Sequence, residues 1–257
     1  MDKDLVSIIM LSHDHKEFVE ESVRSVLAQT YTNWELLFYD LNSKDDTVSR
    51  MVEFMALDKR IHVSKMVFTD SVTSCQNAAL KEAKGRWIGF LKGGDIWEPE
   101  KLERQIAFME RNGYHYSYTK YRRYGNIFTK RVKIQSGPQK LTRDSMALCC
   151  WPGNLTVMYD AKKIGPMHVP DLKHNNDYVL WLAVSERLDC YLLPECLATL
   201  RTPQSSILEY LLADKLEWRY QVYRKVMKRN PLTAVCMTIR SLCYAIVKRT
   251  KYCEKAQ

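Results

Sequence analysis

The sequence predicts an α/β protein built on a mainly parallel central sheet flanked by helices, with a helical extension at its C-terminal end. Three observations predict it. Short, nearly all-apolar runs alternate with helical periodicity through residues 1–112. Polar clusters recur where those runs end. The surplus positive charge is confined to the tail. Val6–Met10 (Val-Ser-Ile-Ile-Met) fits a strand covered on both faces. Glu17–Gln29 follows as a helix, with Phe18, Ser22, Val26 and Val19, Val23, Leu27 on adjoining stripes. Trp34–Tyr39 is the second strand. Asp45–Leu57 is the second helix, opened by Ser43-Lys44-Asp45-Asp46, whose side-chain oxygens suit an N-cap and whose carboxylates suit a positive helix start. Ile61–Phe68 and Arg86–Leu91 are the third and fourth strands, with the helix Ser74–Ala83, stopped by Gly85, between them. This βαβαβαβ order implies parallel strands joined by right-handed crossovers.

Further on the pattern loosens. Pro99–Asn112 is a helix with proline in its first turn, Tyr114–Tyr124 is aromatic and alternating, Ile127–Ile134 is a candidate strand and Gly137–Arg143 a loop. Asp177–Arg187 reads as a helix, and Cys190–Leu193 and Cys196–Leu200 as two short strands. Ser206–Arg229 and Leu232–Lys251 read as helices divided by Asn230-Pro231.

Composition narrows the function class. The chain has 257 residues, 46% hydrophobic and 27% charged, which excludes disordered and fibrous proteins. Eight cysteines without C-x-x-C spacing give neither a disulfide framework nor a zinc site, and reduced thiols in the cytoplasm are expected. The opening Met-Asp-Lys-Asp lacks a secretory leader pattern, and no run of about 18 uncharged apolar residues occurs, so neither a leader nor a bilayer span is expected.

The polar clusters are Ser12-His13-Asp14-His15, Asp40-Leu41-Asn42-Ser43 and Lys92-Gly93-Gly94-Asp95, after the first, second and fourth strands. Three such loops at one sheet edge make a ligand crevice. No G-x-G-x-x-G follows the first strand and no G-x-x-x-x-G-K-[ST] occurs, which argues against a nicotinamide dehydrogenase and a P-loop enzyme.

Several stretches, in order, resemble glycosyltransferase family 2. They are Val6–Met10, the segment Phe18–Tyr31 containing Ser25-Val26-Leu27-Ala28-Gln29-Thr30-Tyr31, Trp34-Glu35-Leu36-Leu37, Asp45-Asp46-Thr47, Asn77 to Gly85, Phe90-Leu91 to Asp95-Ile96-Trp97, and Asn176-Asp177-Tyr178 with Trp181-Leu182. The resemblance spans residues 5–205. It implies a GT-A fold and inverting transfer of a sugar from a nucleotide-diphosphate donor, a UDP-sugar, to an acceptor hydroxyl of a saccharide or lipid-linked saccharide in cell-surface polysaccharide synthesis. Such a displacement needs a carboxylate base at the acceptor hydroxyl and positive charge beside the departing diphosphate. By resemblance Asp177 is the base, Asp40 contacts the nucleobase, and Arg201 opens a segment that closes over the diphosphate. Ser12, Asp14, Asn42 and Gln76 fall at donor-contacting positions. A divalent metal, Mn or Mg, would be held at Asp95.

The departures from the family pattern cluster in the donor pocket. Relatives usually read Phe-Leu-Asp-x-Asp-Asp where this chain has Phe90-Leu91-Lys92-Gly93-Gly94-Asp95. Leu11, His13, Asp14, Leu41 and Gln76 also replace family residues. Two readings stay open: Asp95 alone anchors a metal, or the Lys92 ammonium takes the metal's place; alternatively donor binding is lost and the protein is an inactive binding or scaffold subunit. Plainer roles also stay open, Asp177 as a helix cap and Asp40 and Asp95 as turn formers. His13-Asp14-His15 reads as a polar loop, the tyrosine run as sheet packing, and Trp151 and Trp181 as core.

The expected division is 1–205 as the transferase domain, with 1–112 the nucleotide-sugar half and 113–205 the acceptor half, then 206–257 as basic amphipathic helices. From Lys215 onward basic residues outnumber acidic ones by nine, the whole chain's +9, so residues 1–214 are neutral. Leu232, Val235, Met237, Ile239, Leu242 and Ile246 alternate there with Arg240, Lys248, Arg249 and Lys251. Such a helix suits an anionic headgroup layer, placing the protein in the cytoplasm at the inner face of the cell membrane. A solvated helix packed on its own domain is the plainer alternative. No recognition motif accompanies the charge, so no nucleic-acid partner is expected.

Overall fold

The N-terminal half runs β1 (Val6–Ser12), α1 (Val19–Leu27), β2 (Trp34–Asp40), α2 (Thr47–Leu57), β3 (Ile61–Lys65), α3 (Val72–Glu82) and β4 (Trp87–Lys92), then a two-residue β5 (Ile96–Trp97) and α4 (Lys101–Asn112). The second half runs β6 (Tyr116–Tyr124), β7 (Val132–Gln135), β8 (Lys140–Leu141), α5 (Arg143–Leu148), a 3-10 turn at Asn154–Thr156, β9 (Met158–Asp160), α6 (Ala161–Ile164), α7 (Asn176–Ser185) and β10 (Cys190–Leu200). The tail adds α8 (Leu212–Gln221), a π-helical turn at Val222–Val226, α9 (Pro231–Lys251) and β11 (Cys253–Lys255). This computed structural model describes residues 4–65, 71–124, 132–170, 176–201 and 212–255.

β1 pairs in parallel with β2 on one side and β4 on the other, and β3 extends the sheet beyond β2, also parallel. The register sets Ser12 beside Asp40 and Leu11 beside Lys92, so the ends of three strands share one edge. The strand order reverses between β1 and β4, the switch point where open α/β sheets bind ligands. Beyond β4 the sheet turns antiparallel through β9 and β6, while β10 runs parallel to β6.

Two apolar cores cover the faces of the sheet. One holds Val19, Val23 and Val26 of α1 against Ile8, Met10, Leu36 and Phe38; the other packs Trp181 of α7 edge-on to Phe90, ring centroids 5.0 Å apart. Trp151 and Trp181 are core residues, and Tyr116, Tyr118 and Tyr121 are buried in the sheet. The segment most typical of the resemblance is structural. Gln29 donates from Nε2 to the carbonyls of Ser25 (3.0 Å) and Glu98 (2.8 Å) and accepts from the Leu102 N–H (3.1 Å), tying α1 to the start of α4.

The differences from sequence expectation are local. Cys190–Leu200 is one strand, its pairing with β6 shifted on either side of Cys196 around Pro194-Glu195, which explains why it reads as two. β9 is a three-residue strand inserted between β4 and β6, too short to show periodicity. The expected loop Gly137–Arg143 contains β8 and meets α5, capped by Thr142 accepting from the Ser145 N–H. α8 is described only from Leu212 and gives way to the π-helical turn. Residues 66–68 of the third expected strand and 127–131 of the candidate strand lie outside the described residues.

The tail is tied to the sheet. β11 pairs antiparallel with β7, Gln135 Nε2 donates to the carbonyls of Lys248 and Tyr252, and Tyr244 and Tyr252 pack edge-on to Trp151. α9 buries Ala234, Thr238 and Ser241 and leaves Leu232 (76%), Ile239 (57%) and Ile246 (63%) exposed. By length and composition alone α9 is also apolar enough to cross a membrane, although it carries Arg240 and Lys248 within its apolar length and so is not an uncharged run.

Candidate active site

The loops after β1 and β2 are fastened to one another. Asp14 accepts from the Lys44 N–H (2.7 Å) and donates from its own N–H to Ser43 Oγ (2.9 Å), with its backbone at φ 50°. His13 Nδ1 lies 2.8 Å from the Leu41 carbonyl, and the Lys16 N–H donates to Asp45 (3.0 Å). Asn42 turns the second loop at φ 63°. Ser12 Oγ meets His15 Nδ1 at 3.2 Å. These hydrogen bonds brace the two loops against one another.

Asp40 is wholly buried at the end of β2. Its Oδ2 accepts from the Ser43 N–H (2.9 Å), while Oδ1 has no hydrogen-bond partner among the described residues. A buried acceptor left unpaired is costly and marks a place where a ligand is awaited or strain is held.

At β4 the chain turns sharply through Lys92-Gly93-Gly94-Asp95, the Asp95 N–H donating to the Lys92 carbonyl (3.0 Å). A Cβ at Gly93 would lie 2.2 Å from Ser12 Oγ, and Gly94 takes φ +101°. Asp95 is buried, and its Oδ1 accepts from the Arg201 N–H (3.2 Å). Burial pushes its carboxyl up to about 7 against the opposing pull of Lys92 and the Arg201 amide. The Arg201 guanidinium itself pairs with Glu21 and lies 4.7 Å from the Phe18 ring centroid. Residues 202–206, expected to close over the diphosphate, lie outside the described residues.

Lys92 and Asp177 meet across the cleft, Nζ to Oδ2, at 2.7 Å. Asp177 stands in the first turn of α7, its side chain 24% exposed; that of Lys92 is 49% exposed. The pair lines a narrow cleft with Gln76, Asn154 and the apolar Ile9, Leu11, Phe90 and Leu91. Both amide atoms of Gln76 and Oδ1 of Asn154 are buried without a partner among the described residues. Asn154 was not foreseen. It lies in a 3-10 turn without a motif, and only the fold brings it beside Gln76.

Ser12, Asp40, Asp14 and Asn42 thus gather on the β1–β2 side, and Gln76, Lys92 and Asp177 on the β4 side. Asp95 is buried at the end of the turn, held by the Arg201 N–H. The fit to a divalent metal is poor. Two of the three family carboxylate positions are Lys92 and Gly94, the remaining carboxylate is buried and already accepts an amide, and among the described residues no group of three His, Cys, Asp or Glu side chains is placed to hold an ion.

The mainly parallel sheet with a crevice at its switch point is of GT-A type, and solved structures share that fold. TarS 1–349 of S. aureus in complex with UDP-GlcNAc superposes with a TM-score of 0.67 at 17% identity, covering 96% of this chain and 73% of that one. A mannosyltransferase of Pyrobaculum calidifontis in complex with GDP-Man and Mn2+ gives 0.64 at 12% identity, covering 94% and 75%. The profile of glycosyl transferase family 2 matches residues 7–164, and the chain belongs to that family. The Escherichia coli glucosyltransferase WfgD, named for transfer of a β-1,3-glucose from UDP-Glc to α-D-GlcNAc-diphosphoundecaprenol, is 40% identical over 186 residues, 72% of this chain and 71% of WfgD. TuaG of Bacillus subtilis (strain 168), named for teichuronic acid biosynthesis, is 31% identical over 249 residues, 96% of this chain and 98% of TuaG.

Proposed function

We propose that the protein transfers a sugar from a UDP-sugar to a hydroxyl of a saccharide carried on a lipid diphosphate, with inversion, in the synthesis of a cell-surface polysaccharide. The observation that carries this reading is the position of Asp177: a partly exposed carboxylate, opposite a lysine, at the switch point of the sheet. The names of WfgD and TuaG support the donor and acceptor classes.

In the reaction the acceptor hydroxyl oxygen bonds to the anomeric carbon while its proton passes to Asp177. The bond from that carbon to the diphosphate oxygen breaks, and its electron pair leaves on the diphosphate. Asp177 then returns the proton to water. The Lys92 ammonium faces the developing negative charge, the electrostatic task that a metal performs in other members. Gln76 and Asn154 offer their unpaired amide atoms to sugar hydroxyls. Asp40 offers Oδ1 to the nucleobase, which requires the 41–44 loop to part from the 12–15 loop because the carboxylate is wholly buried.

Calorimetric titration with UDP-sugars and GDP-sugars tests this reading. A UDP-sugar is expected to bind, with an affinity that changes less than about twofold when manganese is added. Heat only in the presence of manganese would overturn the assignment to Lys92. No heat with any donor, with or without manganese, would overturn the transferase reading and is the result the inactive binding-subunit alternative predicts.

The acceptor class places the reaction at a membrane. α9 supports an orientation in the plane of the surface rather than across it. Its inner face is docked, the Lys248 ammonium donates to the Cys150 carbonyl (2.7 Å), and the following β11 is held in the sheet. Leu232, Ile239 and Ile246 lie outward, with Arg240 and Arg249 alongside. Each basic residue near an anionic leaflet is worth ~1 kcal/mol. Wild-type protein is expected to sediment with phosphatidylglycerol vesicles, and the triple variant Leu232→Glu, Ile239→Glu, Ile246→Glu to remain in the supernatant. Equal sedimentation of the two would defeat the membrane assignment.

A further inference from the structure

We propose that Lys92 couples arrival of the donor to release of the base, so that the diphosphate must bind before the acceptor can be activated. The inference rests on the transferase reading above and goes beyond it in assigning an order of events to one ion pair.

Lys92 Nζ lies 2.7 Å from Asp177 Oδ2. In this state one of the two oxygens that could take the acceptor's proton is covered by an ammonium. The two residues are 85 positions apart and come from different structural units, the end of β4 and the first turn of α7, so the contact is made by the tertiary fold. A pair this exposed adds little to folding, which leaves its position in the cleft as the feature to explain.

Lys92 is also the residue best placed to meet a diphosphate. Leu11 is its register partner on β1, and the neighbouring Ser12–Asp40 pair ends the other two strands of the crevice. A nucleoside diphosphate carries more negative charge than one carboxylate, and several of its oxygens can surround an ammonium. A long, half-exposed lysine stem can turn from one to the other. When it does, Asp177 Oδ2 is uncovered beside Gln76 and Asn154, where the acceptor hydroxyl must lie. The carboxylate and the diphosphate therefore compete for one cation, and that competition orders the two substrates.

The competition predicts an affinity effect independent of turnover. Titration calorimetry with UDP, GDP and inorganic pyrophosphate on the wild type, Asp177→Asn, Lys92→Met and the double variant reads it directly. Asp177→Asn is expected to bind UDP and pyrophosphate about fivefold more tightly than wild type, because the ion pair no longer has to be broken. Lys92→Met is expected to bind both about tenfold more weakly, and adding Asp177→Asn to it to change nothing further. Equal affinity of wild type and Asp177→Asn, or the same gain in the Lys92→Met background, would overturn the coupling and leave the transferase reading standing. No binding by any of the four proteins would overturn both. Matching melting temperatures confirm that the variants are folded.

Discussion

Asp177→Asn is expected to lower sugar transfer by roughly a thousandfold, the scale of losing a positioned general base. Asparagine keeps the shape of the side chain and removes its charge and with it the capacity to take a proton. The structural cost is small. Asp177 loses an exposed ion pair with Lys92 and a favourable place in the first turn of α7, together about 1 kcal/mol or less. The variant is therefore expected to melt close to wild type while transfer of radiolabelled sugar from the donor disappears. Retained activity would remove the base assignment. Tighter donor binding together with lost turnover in this one variant would separate its chemical role from its pairing with Lys92.

The second large effect concerns stability. Lys101, the first residue of α4, is fully buried; its ammonium donates to Gln105 Oε1 (2.8 Å) and lies 4.2 Å from the Trp97 ring centroid. Burial lowers its pKa to about 7. The unfolded chain keeps an ordinary lysine near 10.5, so between pH 7 and 10.5 the unfolded state binds the proton that the folded state has released. Stability from this group accordingly rises with pH across that window, and below pH 7 the cost of a buried cation is felt in full. At ~1.4 kcal/mol per unit the span is several kcal/mol. Lys101→Met keeps the apolar stem and is expected to melt above wild type at pH 6 and to lose the rise between pH 7 and 10. A wild-type melting profile that stays parallel to the variant's across that range would show that Lys101 remains charged in the folded protein.

The parallel half of the fold was legible because each of its strands is an apolar run and each helix shows a stripe. β1 and β2 could be read from composition alone. β9, β8 and β11 were not legible: each is two or three residues long, and pairing rather than pattern makes it a strand. α5 was not predicted: it is six residues long, its start depends on one cap, Thr142, and only Arg143 falls in the expected loop. At the candidate site Ser12, Asp40 and Lys92 were legible because polar residues end apolar strands, and the structure sets all three at one edge. The Lys92–Asp177 contact was not, since no spacing links positions 85 apart. Neither was the inward role of Lys248, which reads as one more basic residue of the tail but donates to the Cys150 carbonyl.

The turn at Gly94 bears on what a single substitution could restore. A backbone at φ +101° admits an aspartate only under strain, so Gly94→Asp would have to distort the turn to present an acid there. The loop would first have to rebuild its path, and Lys92 would have to give way as well.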